Sequence, residues 1–543
     1  MAAYFAVVFG VVVWAYRGHD PSESSAGYFL AGRNVGWFVV GASLFASNIG
    51  SEHLVGLAGT GANSGIAVAQ FEIIAALALL LLGWVLVPFY IRSGVFTMPE
   101  FLERRYSPAA RWYLSVISIV GYVLTKISVT LYAGGIVFEA LMGIDFWTGA
   151  LIVVVVTGIY TAFGGLRVVL YTDMMQMLVL LLGAVTVTVV GLVELGGWGA
   201  LRESVDAGYF TLWKPVSDPE FPWTGILFGA PIVGVWYWCT DQFIVQRTLS
   251  ASDSSNARRG SLFAGFLKQT PLFIFVLPGV IAAALATRGA LELPQADQAL
   301  PTLVTTLLPV GLRGLVVAGL LAALMSSLSS VFNSTSTLFT WDIYRAWRPH
   351  ASERHLVWVG RLATAALTVL GLAWVPFMEY ISPRLYVYLQ SVQSYIAPPI
   401  TAVFLLGVAW RRINGAGAIA SLLVGFVLGA GRLVLELVHG TERQGLPAGS
   451  VWAAIAELNF LHFAVVLFVV SVVVLIAVSL ATAPPPREQV AGLTYATATE
   501  PVAGGVEAEE RPADVERPGW RRTDLALTAL LLGIIALLWI VFA

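Results

Sequence analysis

The sequence predicts an all-α polytopic membrane protein. Two observations set that class and a third points to its use. Of 543 residues, 58% are hydrophobic and only 11% charged, a charge content that soluble domains rarely have. Long apolar runs recur along nearly the whole chain, and about 20 such residues suffice to cross a bilayer as a helix. Inside one run, Val35 to Leu57, stand Ser47, Asn48, Gly50, Ser51, Glu52 and His53. Polar residues at mid-depth are costly in hydrocarbon unless they line a protein cavity. The stretch reads as a discontinuous helix, whose free carbonyls and helix ends bind cations and polar solutes at the midplane. The plainer alternative is a kinked helix packed through small residues.

Fourteen spans follow in order: 1–16, 35–60, 66–91, 112–139, 145–163, 172–195, 222–245, 259–287, 308–340, 356–376, 381–409, 414–438, 458–481 and 524–543. The first has only about 13 apolar residues against the roughly 20 needed. It reads as a poorly tilted span or one that has lost residues upstream. Arginines cluster in alternate loops: Arg17 and Arg33; Arg92, Arg104 and Arg105; Arg167; Arg247, Arg258 and Arg259; Arg345, Arg348 and Arg354; Arg411 and Arg412. The other loops hold only Arg202, Lys214, Arg288, Arg384 and Arg443. The positive-inside rule then puts both termini outside a plasma (inner) membrane. The loop 196–221 is external and placed to cap the entrance. Residues 482–523, with Pro484-Pro485-Pro486, read as an extended or disordered cytoplasmic linker. The span 524–543 reads as a peripheral helix away from the site.

Composition narrows the function. The net charge of -2 and the lack of a basic stripe give no reason to expect nucleic acid, and no partner protein is called for. The single Cys239 excludes an intramolecular disulfide and a multi-cysteine metal site. No nucleophile–base pair stands out, so the chain is not expected to be an enzyme. The informative residues are polar ones inside apolar spans. Glu72 and Lys268 are each costly there and are natural partners; the plain readings are a structural ion pair and a snorkelling lysine. Lys126 also falls in an apolar segment. Asp173 reads either as a site carboxylate or as a water-facing helix start. Tyr237 and Trp238 precede Gln242 near a second candidate break at 234–238. Gln390 and Gln393 precede Pro398-Pro399, which bend the helix and free carbonyls.

Met325-Ser-Ser-Leu-Ser-Ser330 is the sharpest local signal. Ser326, Ser329 and Ser330 share a helix face, Ala323 extends it, and Ser327 flanks it. The plain reading is small-residue packing with hydroxyls bonded to their own helix. The functional reading is a set of oxygen ligands for a hard cation such as sodium, completed by carbonyls from the break at Ala46–Ile49.

Phe45-Ala-Ser-Asn-Ile-Gly-Ser51, Gly56-Leu-Ala-Gly-Thr-Gly61, Trp236-Tyr-Trp-Cys-Thr-Asp-Gln242, Gln246-Arg247 and Asn333-Ser-Thr-Ser-Thr-Leu-Phe339 closely resemble the solute:sodium symporter family. The sodium/glucose and sodium/myo-inositol cotransporter branch is nearest, from about Gly27 to Ala483. The resemblance implies a LeuT-type fold of five-plus-five inverted repeats with flanking helices. The repeats would be 35–195 and 222–409, between a first helix and loop at 1–34 and two peripheral helices in 410–481. It implies a sugar site at Asn48, His53, Glu72, Tyr237, Lys268 and Gln390, with Trp238 adjoining. It implies a first sodium site at the backbone of Ala46, Ile49 and Ala323 with the hydroxyls of Ser326 and Ser327. A second falls on Asp173, Ser326, Ser329 and Ser330, and aromatic gates on Phe71 and Tyr386.

The side-chain chemistry agrees. A sugar hydroxyl both donates and accepts, so it suits a mix of Glu, Lys, Asn, Gln and His, and its C–H face suits Tyr237. A Glu72–Lys268 pair leaves a nearly neutral pocket. The expected activity is sodium-coupled symport of a neutral monosaccharide of the glucose/galactose kind, sodium being the coupling ion. Alternatives are a myo-inositol or polyol symporter and a sugar sensor or sodium-leak protein on the same scaffold. Gly234 stands where sugar-transporting relatives often carry Thr or Asn, and Val387 where glucose transporters tend to carry Asp. Glu52-His53, Tyr386-Val-Tyr-Leu-Gln390 and Pro484-Pro-Pro-Arg-Glu-Gln489 lean toward inositol-type members.

Overall fold

The apolar runs become helices because, in hydrocarbon, every N–H and C=O must be satisfied within its own segment. The computed structural model describes residues 2–17, 24–50, 52–378, 385–440, 445–502 and 519–543. Ser51, Arg384, Arg443 and the linker from 503 to 518 lie outside the described residues. The helices that place the site are, in chain order, α1 (Ala2–Arg17), α2 (Trp37–Asn48), α3 (Ala58–Ser64), α4 (Ile66–Ser93), α5 (Pro108–Met142), α6 (Phe146–Ala162) and α7 (Gly164–Leu195). They continue as α8 (Ala230–Val235), α9 (Gln242–Leu249), α10 (Ser254–Thr287), α11 (Val310–Trp347), α12 (Glu353–Ala373) and α13 (Tyr386–Ala409). The last are α14 (Gly415–His439), α15 (Phe460–Ala481) and α16 (Trp520–Val541).

Among the described residues, 10 helices are long and apolar enough to cross a membrane. They account for all expected spans except 1–16, 35–60, 145–163 and 222–245. Three of those contain shorter apolar helices, Tyr4–Tyr16, Trp37–Asn48 and Phe146–Ala162. The fourth is interrupted. Gly165, at φ 60, turns the chain between α6 and α7, a conformation that only glycine adopts without strain.

Both interruptions are real. After α2 the chain leaves the helix at Ile49, with φ -79 and ψ 94. The Gly50 amide bonds Asn48 O instead of continuing the ladder to Ala46. The second break falls at Asp241, with φ -77 and ψ 129, rather than at 234–238. Gly234 is carried inside α8, and a π-helical turn, Trp236–Thr240, runs on to the break. Asp241 stops it because its side chain caps α9, accepting from Phe243 N. Such π turns are frequent at functional sites; this one presents Tyr237 and Trp238.

α11 lies in the interior, its apolar window almost wholly enclosed, whereas α14, α15 and α16 expose most of theirs. Gly56 permits the close approach of the gate: a Cβ there would lie 2.8 Å from Tyr386 Cβ. The arginine-rich ends tie the helices together. Arg105 donates to the carbonyls of Gly407, Trp410 and Ile413, and Arg111 pairs with buried Asp342 at 2.7 Å.

The described part of the linker is not extended. Residues 487–489 and 495–497 form tight helical turns, and Leu493 and Thr494 are fully buried. Tyr495 packs edge-on to Phe89 and Arg92 donates to Ala498 O. Proline and alanine content suggested an open chain, but apolar Val490 and Leu493 give the segment something to bury.

Candidate functional site

The broken helices point their polar residues into one narrow cavity. It is lined by Asn48 and His53 from the first break, Phe71 and Glu72 from the start of α4, and Tyr237 and Trp238 from the second break. Lys268 of α10 and Tyr386 and Gln390 of α13 complete it. All seven residues expected to hold the solute, and both expected gates, thus meet in one place.

Lys268 sits where α10 pauses ahead of Pro271, as the cap of its first segment. Its ammonium donates to the Glu72 carboxylate and, at 2.5 Å, to Asn48 Oδ1. Asn48 uses its amide to donate to the Tyr237 hydroxyl at 3.0 Å. His53 Nε2 stands 3.6 Å from Glu72. These links pair Glu72 and Lys268, both buried, where a lone charge would be costly. The Lys268 ammonium also lies over the Trp238 ring at 5.3 Å, a cation–π contact.

The cavity is closed by rings. Phe71 and Tyr386 meet edge-to-face with centroids 6.0 Å apart, and Phe71 meets Phe221 of the 196–221 loop at 6.1 Å. Tyr386 also lines a separate space with Asn63, Glu220 and Asp297, so the same ring borders both. On the opposite side Tyr237 and Lys126 line both the central cavity and a further one that reaches Tyr122 and Asp241.

The serine cluster lies beside the cavity and is tightly packed. Asp173 is not a water-facing helix start: it is fully buried within α7. It accepts from Ser326 at 2.6 Å, Ser43 at 2.5 Å and Ser47 at 3.0 Å. Ser47 Oγ is 2.9 Å from Ser330 Oγ, and Ser327 donates to Ser47 O at 3.2 Å. Ala46, Ile49 and Ala323 are buried around the same junction of α2 and α11. Ser329 is different. Its hydroxyl donates to Ser326 O, one turn back on its own helix.

Sequence reasoning missed five participants, Ser47 of the cluster just described among them. Lys126 lines the cavity with its ammonium 5.0 Å over the Tyr237 ring. Its place in an apolar span was visible, but its direction was not. The pocket therefore has a second lysine, and Asp241 lines the adjoining cavity with it. Gln393 lines the cavity one turn after Gln390, a spacing that the sequence displays. Ser43 joins the Asp173 cluster one turn before Ser47. Arg247, fully buried, donates to Ser47 Oγ at 2.7 Å, bringing a cation from α9 to the Asp173 cluster.

Two broken helices, a polar cavity bounded by aromatic rings and an adjoining knot of hard oxygens make the arrangement of a secondary transporter that couples a cation to a polar solute. Residues 28–425 match the model of the Sodium:solute symporter family. The chain is 41% identical over 520 residues to Sodium/glucose cotransporter 1 of Oryctolagus cuniculus, covering 89% of this chain and 78% of that one. It is 41% identical over 555 residues to the Sodium/mannose cotransporter SLC5A10 of Bos taurus, covering 96% and 92%. To the Sodium/myo-inositol cotransporter of Mus musculus it is 39% identical over 536 residues, covering 91% and 74%. The structure resembles a Na+-coupled sialic acid symporter in its substrate-bound outward-open state, with a TM-score of 0.75 at 21% identity, covering 89% and 98% of the two chains. The protein belongs to the sodium:solute symporter family, a family of membrane transporters; its fold is of the LeuT type and sodium is its coupling ion.

Proposed function

We propose that the protein imports a neutral monosaccharide of the glucose/galactose kind, driven by sodium, across the plasma (inner) membrane. The observation that carries this reading is the central cavity. It offers donors and acceptors on all sides, an aromatic face at Tyr237, and the bonded Glu72–Lys268 pair. Sugar hydroxyls are served by such a mixture. The similarity to sodium/glucose and sodium/mannose cotransporters supports the same substrate class. A polyol such as an inositol is the second reading. Gly234 lines the cavity and adds no side chain there, and the likeness to a sodium/myo-inositol cotransporter favours it.

In this reading the repeats are 35–195 and 222–409, the arginine-rich loops are cytoplasmic, and both termini are external. The first sodium binds the carbonyls of Ala46, Ile49 and Ala323 and the hydroxyls of Ser326 and Ser327. It joins α2 to α11 and favours the outward-open state. A second binds at Asp173, Ser326 and Ser330, with Ser329 joining only if its hydroxyl turns from Ser326 O. Sugar entry closes Phe71 and Tyr386, the bundle rocks, and withdrawal of Tyr237 opens the inner path. Separation of α2 from α11 then releases sodium. The test is sodium-driven uptake of radiolabelled glucose in proteoliposomes, competed by a panel of hexoses, inositols and small acids. Hexoses should compete best. Preferential competition by inositols selects the second reading, competition by acids alone refutes both, and sodium current without accumulation identifies a sensor.

A further inference from the structure

The last helix was expected to be peripheral, and its surface is indeed mostly exposed. Its polar contacts are not those of a bystander. At one end Trp539 donates its indole N–H to Gln70 Oε1 at 2.8 Å. Gln70 is fully buried and immediately precedes Phe71 and Glu72, the gate and the pocket carboxylate. At the other end fully buried Asp524 receives Arg258 at 3.1 Å and Arg259 at 2.9 Å. Both arginines belong to α10, the helix that carries Lys268. Between these ends Trp84 of α4 donates to Thr528 at 3.0 Å. Leu531 packs into the face of α10 left open by Gly265, where a Cβ would lie 2.8 Å from Leu531 Cδ2.

The contacts thus alternate between the two helices whose residues form the central ion pair. A buried Glu72–Lys268 pair is costly to separate, so α4 and α10 gain from any element that stops them sliding. We propose that α16 is a strut of the moving bundle. It clamps α4 to α10 throughout the cycle, and Trp539 is a positioning residue that sets Phe71 and Glu72 through Gln70. The outer loop is drawn into the same arrangement, since the Leu212 amide donates to Phe542 O at 2.8 Å. This inference rests on the reading of Glu72 and Lys268 as the sugar pocket.

Two experiments on the full chain in proteoliposomes test it. In a Cys239→Ser background, Gly265→Cys with Leu531→Cys allows a disulfide between α16 and α10. Oxidation should leave sodium-driven glucose uptake within twofold of the reduced protein, because the two helices travel together. Block of uptake on oxidation, relieved by reductant, overturns the strut whatever the pocket binds. Trp539→Phe removes the N–H but keeps a ring against Trp213. It should raise the sugar KM three- to tenfold while maximal rate and half-saturating sodium stay unchanged. An unchanged KM, with Glu72→Ala inactive, overturns the positioning role and leaves the pocket reading standing. Unchanged uptake in Glu72→Ala would instead remove the pocket reading on which the role rests.

Discussion

The central cavity and the serine cluster share one broken helix yet are built on opposite principles. The cavity is lined by rings and by donors matched with acceptors, which bond each other directly around it. The cluster has oxygens converging on one carboxylate at hydrogen-bond range. A neutral solute needs room and two-way hydrogen bonding, whereas a desolvated cation needs only oxygen at close range. Asn48 faces the first region and Ser47 the second. The break between α2 and α3 is therefore the physical link between them.

Removing one partner of the central ion pair should separate the regions most sharply. Lys268→Ala or Glu72→Ala strands a buried charge, at about 3–5 kcal/mol. Initial rates of sugar uptake should fall at least a hundredfold. The double variant should lose less than the two single losses combined, and simple additivity would show that the two groups do not act as a pair.

The second region should respond in sodium rather than in sugar. Asp173→Asn keeps the shape but removes the charge that balances a second ion. Reversal-potential measurements should then give a sodium-to-sugar ratio of one, against two for the native protein. Since each charge crossing 100 mV supplies about 2.3 kcal/mol, the attainable sugar gradient should drop accordingly. A native ratio of one would remove the second site.

A smaller effect is expected from Ser327→Ala. Losing one oxygen is worth ~1–1.5 kcal/mol, so half-saturating sodium should rise about tenfold. The sugar KM at saturating sodium should not change; a shift in sugar KM alone would move Ser327 into the solute region. The smallest effect belongs to Ser329→Ala. Its hydroxyl is bonded back to Ser326 O, so half-saturating sodium should change less than about twofold, within ~0.5 kcal/mol. A fall in coupling ratio would mean that Ser329 turns into the cluster.

The two regions were also unequally legible. Every residue expected around the sugar came together: Asn48, Tyr237 and Trp238 lie inside motifs of the family, and His53, Glu72, Lys268 and Gln390 stood out as polar residues inside apolar spans. Helix periodicity alone put Ser326, Ser329 and Ser330 on one face, and the break at Ala46–Ile49 was expected opposite them, where Ser47 of α2 meets Ser327 and Ser330; what pattern did not show is the third helix. No local pattern shows that α7 brings Asp173 against α2 and α11, and Ser43, Ser47 and Arg247 join only through that packing. The same reason explains Lys126, whose burial cost was evident but whose direction depends on how α5 packs. The second break was expected at 234–238 and falls at Asp241 instead, because the π turn Trp236–Thr240 carries the helix on to the capping carboxylate. The linker was misread because composition ignores what a few apolar residues can bury against a neighbouring surface.

The central claim is that sodium and sugar are coupled through one broken helix, and linkage tests it directly. If each ligand favours the same state, each must raise the other's affinity by the same factor. The decisive measurement is equilibrium binding of glucose to the purified protein with and without saturating sodium, and of sodium with and without glucose. At least a tenfold gain in glucose affinity with sodium is predicted, matched by an equal gain for sodium with glucose. Glucose affinity that is unchanged by sodium would contradict the account.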